Sequence, residues 1–151
     1  MRLLEGMQIP FEVREYEVDE DHLDAVTVAA KLSLPPEQVF KTLLVRGDRN
    51  GCAFVVIPGN MELDCKAVAK LSGDRSVDMV PLKEVTPLTG YIRGGVTVLG
   101  ARKPFPVFVD FTVELWDTIS VSAGQRGMQL LLAPAAYLRA VQGTVGEIAR
   151  F

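Results

Sequence analysis

One stretch constrains the fold of this chain more than any other. Val39-Phe40-Lys41-Thr42-Leu43-Leu44-Val45 is an almost unbroken run of strand formers with a lysine inside it. β-Branched and large aliphatic residues at this density predict a strand buried on at least one face. Alternation places Phe40, Thr42 and Leu44 on one side and Lys41, Leu43 and Val45 on the other. Lys41 therefore projects from an otherwise apolar row. Its ammonium must snorkel to water, meet a carboxylate, or sit in a cavity that uses it. A snorkelling or edge-strand lysine is the ordinary outcome.

The totals narrow the class. A chain of 151 residues, 48% of them hydrophobic, predicts one packed domain over residues 1–151. The net charge of −3 gives no global basic signature for nucleic acid. Any RNA contact would use a local patch and weaken with salt. Cys52 and Cys65 lack Cys-x-x-Cys spacing and His22 is the only histidine, so no metal and no cofactor is expected. The first residues lack the apolar core of a signal peptide, and no apolar run approaches a membrane span. A soluble, cytoplasmic protein with no membrane partner is the expectation.

Hydrophobic period and turn chemistry predict the elements. A short amphipathic helix is expected over 2–8, with Leu3, Leu4 and Met7 on one face, then a half-exposed strand over 11–18 and a polar loop at 19–22. A helix over 25–33 would turn Val28, Ala29 and Leu32 inward until Pro35-Pro36 stops it. After the lysine strand, Asn50-Gly51 is a hairpin dipeptide leading to a partner strand over 52–57. Leu63, Ala67 and Leu71 predict a helix over 63–71. A strand over 77–80, a proline-started helix over 81–85 and strands over 106–109, 118–122 and 128–132 follow. A last helix covers 134–141. Without a regular β-α-β rhythm, the expected class is α/β (mixed): a curved, largely antiparallel mixed sheet or partial barrel flanked by helices.

Three features carry candidate chemistry. Lys41 is the first. The second is Gly90-x-x-x-Gly94-Gly95, where paired glycines let a ligand approach the main chain and N–H groups hold a carbonyl oxygen or phosphate. An ordinary turn explains it equally. The third is Ser122-Ala123-Gly124-Gln125-Arg126-Gly127, a hydroxyl and a cation on a turn leaving a strand. No histidine is placed to activate Ser122. Cys65 falls where a first helical turn would favour thiolate, although an apolar pattern there equally suits a core cysteine. Arg93, Arg102, Lys103 and Arg126 add positive charge nearby in sequence. Together they suit a ligand bearing a carbonyl or phosphate.

At these residues the chain resembles the YbaK/ProX family, free-standing relatives of the prolyl-tRNA synthetase editing domain. The matching pieces are Phe40-Lys41-Thr42-Leu43-Leu44, then Asn60-Met61 through Leu63, and Lys66 to Lys70. Gly90-Tyr91-x-x-Gly94-Gly95-Val96-x-x-Leu99-Gly100 and Ile119-x-Val121-Ser122-x-Gly124-x-Arg126-Gly127 complete the set. The resemblance implies trans-editing hydrolysis of mischarged aminoacyl-tRNA, with Cys-tRNA(Pro) foremost and Ala-tRNA(Pro) or a non-catalytic tRNA- or synthetase-binding module as alternatives. It carries the essential lysine onto Lys41, the glycine at the aminoacyl end onto Gly94, the pocket serine onto Ser122 and the pocket tyrosine onto Tyr16. Thr42, Gly95 and Gly124 complete the expected substrate-binding set. Attack by water or by the substrate's own thiol or hydroxyl is implied, since no protein nucleophile is evident. The partners implied are the aminoacyl-tRNA 3′ end and, because the chain is acidic, prolyl-tRNA synthetase to help capture it. Thr97-Val98 stands where relatives commonly have Ser-Pro, and Gln129 where an acidic residue is often found; both bear on amino-acid preference.

Overall fold

The computed structural model describes residues 2–99 and 104–151; Gly100, Arg102 and Lys103 of the sequence motifs lie outside them. The chain runs α1 (Arg2–Gly6), β1 (Glu12–Glu15), α2 (Ala25–Leu32), a 3-10 turn (Pro36–Gln38), β2 (Phe40–Gly47) and β3 (Gly51–Pro58). Then come β4 (Glu62–Leu63), α3 (Cys65–Ser72), β5 (Val77–Met79), α4 (Leu82–Thr89) and β6 (Val107–Asp110). A second 3-10 turn (Phe111–Leu115) leads to β7 (Ile119–Ser122), β8 (Met128–Leu132), α5 (Pro134–Val141), β9 (Thr144–Gly146) and β10 (Ala149–Arg150).

The central sheet has the order β5-β2-β3-β6-β9, antiparallel at β5-β2-β3 and parallel at β3-β6-β9. A second, antiparallel sheet has the order β1-β8-β7, and β10 pairs with β4. The mixed, curved and unclosed arrangement is the expected one. β2 separates two apolar clusters, as its alternation requires. Phe40 and Leu44 join Phe54, Val56, Val121, Leu130 and Tyr137 on one face, while Val45 joins Val55, Ile57, Val68 and Ile148 on the other.

The two edges of β2 differ. Along one edge the strand pairs with β3 through its whole length, Phe40 opposite Pro58 to Gly47 opposite Gly51. Along the other, β5 covers only Val45 to Gly47, and the last bond is Val80 N–H to the Leu44 carbonyl at 3.0 Å. The second sheet touches that edge through a single parallel bridge, Val39 to Ser120. Between those two points no described strand pairs with it.

Several expectations need correction. α1 is shorter than 2–8 and buries Leu4 but leaves Leu3 and Met7 exposed. α3 starts at Cys65 because the Asp64 carboxylate caps it, accepting from the Lys66 and Ala67 N–H groups at 3.1 Å. Leu63 instead pairs with Ala149 in β4, and the helix buries Val68 and Ala69 while Leu71 stays partly exposed. α4 continues past residue 85 to Thr89, with Pro87 inside it. β9 and β10 are absent from the hydrophobic pattern, since they are two or three residues long and form only against strands already in place.

Asp110 holds that C-terminal segment. It is 1% exposed; Oδ1 accepts from the Ile148 and Ala149 N–H groups at 2.9 and 3.1 Å, and Oδ2 from Thr112 Oγ1 at 2.6 Å and Thr112 N–H at 3.3 Å. Removing the carboxylate leaves these buried and partly buried donors without their acceptor. Asp110→Ala is expected to lower stability by about 3 kcal/mol, read as a fall in the urea midpoint at unchanged slope.

Candidate active site

A cavity of about 300 Å³ opens beside the unpaired part of β2. All five residues from Phe40 to Leu44 line it, as an open strand edge allows: both faces and the main chain between them are reachable. The N-terminus of α2 (Asp24, Ala25) and Gly59 close one end. Met79, Val80, Leu82 and Val85 close the other, and Arg93, Gly94, Ser122 and Gln129 complete the wall.

Lys41 enters this cavity half-buried. Its ammonium donates to the Gly59 carbonyl at 3.2 Å. Burial pushes its pKa below the ordinary value, offset in part by the carboxylates of Glu62 and Asp24. Gly59 is forced by packing: a Cβ there would lie 2.8 Å from both the Ala25 Cβ and the Val39 carbonyl oxygen. Its N–H is taken by the Val39 and Pro36 carbonyls, so its own carbonyl is aimed at Lys41. Asp24 is fixed as the cap of α2, Oδ2 accepting from Thr27 N–H at 3.0 Å and Oδ1 from Thr27 Oγ1 at 2.8 Å. The Thr27 hydroxyl first, with the Thr27 N–H, holds the Asp24 carboxyl below the usual carboxylate range.

The two glycine turns meet across this site. The Arg126 guanidinium donates through Nε to the Arg93 carbonyl at 2.7 Å. A Cβ on Gly95 would lie 3.1–3.2 Å from the main chain of Gln125 and Arg126, and one on Gly124 would lie 3.1 Å from the Tyr91 ring. Gly95 and Gly124 therefore serve to bring the turns together and do not line the cavity. The Gly95 N–H is already given to the Ile92 carbonyl at 2.9 Å, and the Gly124 N–H to Ser122 Oγ at 3.2 Å. Gly94 does line it, with a left-handed φ of 86°, and its N–H makes no hydrogen bond among the described residues.

Of the other expected contacts, Thr42 and Ser122 line the cavity as buried polar groups. Tyr16 does not; its N–H is tied to the Gly127 carbonyl at 3.0 Å. Cys65 is also away from the lining, and burial, reinforced by Asp78 and Asp64, raises its pKa where helix position alone predicts a fall. His22 hydrogen-bonds Asp19 on the surface at 2.8 Å. The lining thus contains no cysteine or histidine. Among the described residues no cluster of three or more His, Cys, Asp or Glu side chains could hold a metal ion, and no helix is long and apolar enough to cross a membrane. Asp24 and Gly59 were not picked out as site residues, and Gln129 only as a departure from the family pattern. Gln129 is 5% exposed, and its Oε1 accepts from Ser120 Oγ at 2.9 Å, which orients the amide. Its place directly across from Ser122 on neighbouring strands was the available signal.

With this geometry in hand, comparison with known proteins is specific. The aminoacyl-tRNA editing domain matches residues 19–140. The chain is 43% identical over 148 residues, 98% of its length and 90% of the relative's, to the Enterococcus faecalis protein named "Putative Cys-tRNA(Pro)/Cys-tRNA(Cys) deacylase EbsC". It is 32% identical over 87 residues, 58% of this chain and 15% of the relative, to a proline–tRNA ligase of Kosmotoga olearia. Among solved structures, the hypothetical protein APE2540 superposes with a TM-score of 0.90 at 22% identity, covering 99% of this chain and 97% of that one. A structure described as "a putative trans-editing enzyme for prolyl tRNA synthetase" gives 0.81 at 21%, covering 93% and 87%. The chain belongs to the aminoacyl-tRNA editing domain family.

The Lys41 environment has a measurable consequence for stability. Its folded pKa lies below the ordinary 10.5, so between the two values the unfolded chain binds more protons and stability rises with pH. Below that window the folded state carries the cost of a partly desolvated charge. Lys41→Met is expected to unfold at a higher temperature than the parent at pH 7. The difference should shrink as pH rises toward 10.5, followed by circular dichroism melts across that range.

Proposed function

We propose that this protein is a trans-editing aminoacyl-tRNA deacylase that hydrolyses mischarged tRNA, with Cys-tRNA(Pro) as its main substrate, the whole of residues 1–151 acting as one domain in the cytoplasm. The observation that carries the reading is the half-buried Lys41 ammonium sharing one small cavity with the Gly94 main chain and the Ser122 hydroxyl. The family and the name borne by the Enterococcus faecalis relative support the choice of reaction and substrate.

The chemistry follows from what the cavity offers. The ester of the terminal adenosine has a carbonyl that gains negative charge as it is attacked. The Gly94 N–H and the partly desolvated Lys41 ammonium are donors available to that oxygen. Ser122 Oγ accepts from Gly124, which leaves its O–H hydrogen to donate into the cavity. With no cysteine or histidine in the lining, the nucleophile is water or the thiol of the substrate cysteine. Held against the carbonyl, an intramolecular thiol gains the proximity advantage that dominates such reactions. Arg93 lies on the wall where the tail of the tRNA leaves, suited to a phosphate. An acidic chain gains little long-range attraction for tRNA, so prolyl-tRNA synthetase is the proposed partner for capture.

The test is release of label from Cys-tRNA(Pro), Ala-tRNA(Pro) and correctly charged Pro-tRNA(Pro) at catalytic protein concentration. Multiple turnovers on Cys-tRNA(Pro), sparing Pro-tRNA(Pro), are expected. Lys41→Met should reduce kcat at least about 100-fold, the scale of losing one preorganised oxyanion donor. Tight binding of tRNA without turnover would instead identify a binding module of the same fold.

A further inference from the structure

The cavity has two chemically different ends. At the Phe40 end of β2 it is polar on both sides of the strand: Thr42, Ser122 and Gln129 are buried polar lining on one, and on the other the Lys41 ammonium donates to the Gly59 carbonyl with Asp24 nearby. About 10 Å along β2, three residues at strand rise, the wall is Leu44, Val80 and Val85. Two further apolar side chains line that end, Met79 at 47% exposure and Leu82 at 62%. The structure therefore turns a thioether and an isobutyl group toward solvent at the lip of its own cavity. A strand end and the first residue of α4 hold them there.

We propose that Met79 and Leu82 seat the adenine base of the 3′-terminal nucleotide. This rests on the reading of the site as one for aminoacyl-tRNA. The aminoacyl group is the free end of the substrate and goes deepest, while the body of the tRNA stays outside. The group that crosses the lip is then the nucleoside next to the ester. Its ribose and phosphate are polar and belong with Lys41 and Arg93. Its base is flat and apolar on both faces and belongs on the apolar side of the mouth. A small aminoacyl group such as cysteine seated by the polar lining does not extend along the strand to Met79 and Leu82. A thioether and a branched aliphatic side chain suit a purine face, which they contact through dispersion and the removal of water.

The experiment compares two uncharged acceptor-stem hairpin RNAs, one ending in CCA and one in CCC, by fluorescence anisotropy at one fixed salt concentration. The parent should bind the CCA end about fivefold tighter, the lower range for one stacked base. The Met79→Ala/Leu82→Ala double variant should bind both ends equally, at the affinity the parent has for CCC. Lys41→Met should weaken both by the same factor and keep the preference. Equal binding of the two ends by the parent overturns the proposal, as does a preference that survives in the double variant. A dimeric parent that becomes monomeric in the double variant, by sedimentation, also overturns it, since a second copy then covers the lip. Deacylation decides the parent reading separately: turnover without base preference removes the adenine seat alone, and base preference without turnover removes the hydrolase alone.

Discussion

Everything at the site depends on β2 being paired along one edge and only partly along the other. A fully paired central strand would show a ligand nothing but side chains of one face. Here β5 stops at Val45 and the second sheet touches at Val39, so the segment between offers both faces and its main chain at once. Lys41 can then stay in an apolar row without crossing the core. Its ammonium reaches back to the Gly59 carbonyl, just past the end of β3, whose direction is set by the close packing of Gly59 on α2 and the Pro36 turn. The charge is held partly out of water beside that gap.

Much of this was legible in the sequence. The lysine strand, its hairpin partner and the inward face of α2 follow from period and turn chemistry, because each is decided by neighbours close in the chain. Asn50-Gly51 sets the β2-β3 register, and Val28, Ala29 and Leu32 are buried as their spacing requires. The face of α3 was misread because Leu63, Ala67 and Leu71 form a regular row that the Asp64 cap cuts at its first member. β9 and β10 left no pattern, since their place is set by β6, β4 and the carboxylate of Asp110, distant in sequence.

The site shows the same division. Lys41, Gly94 and Ser122, which line the cavity, stand out in the sequence as local oddities: a charge in an apolar strand, and a glycine pair and a hydroxyl at turns; Thr42 comes only with the family resemblance. Gly95 and Gly124 carry the same local signal, yet their hydrogen atoms face another segment of protein and not the cavity. Sequence cannot separate a glycine that admits a ligand from one that admits a neighbouring loop. Asp24 was missed because a helix cap is its sufficient explanation, and its place in the lining appears only when the start of α2 packs on Gly59.

The joint between the two glycine turns has a consequence for how such a protein can change. At Gly95 the joint is main chain against main chain, and a methyl group at that residue already crowds it. The path of both loops is therefore a fixed chassis. The side chains of Ile92, Arg93 and Gln125 are exposed around it. A change of side chain at these outward positions leaves the frame beneath them as it is.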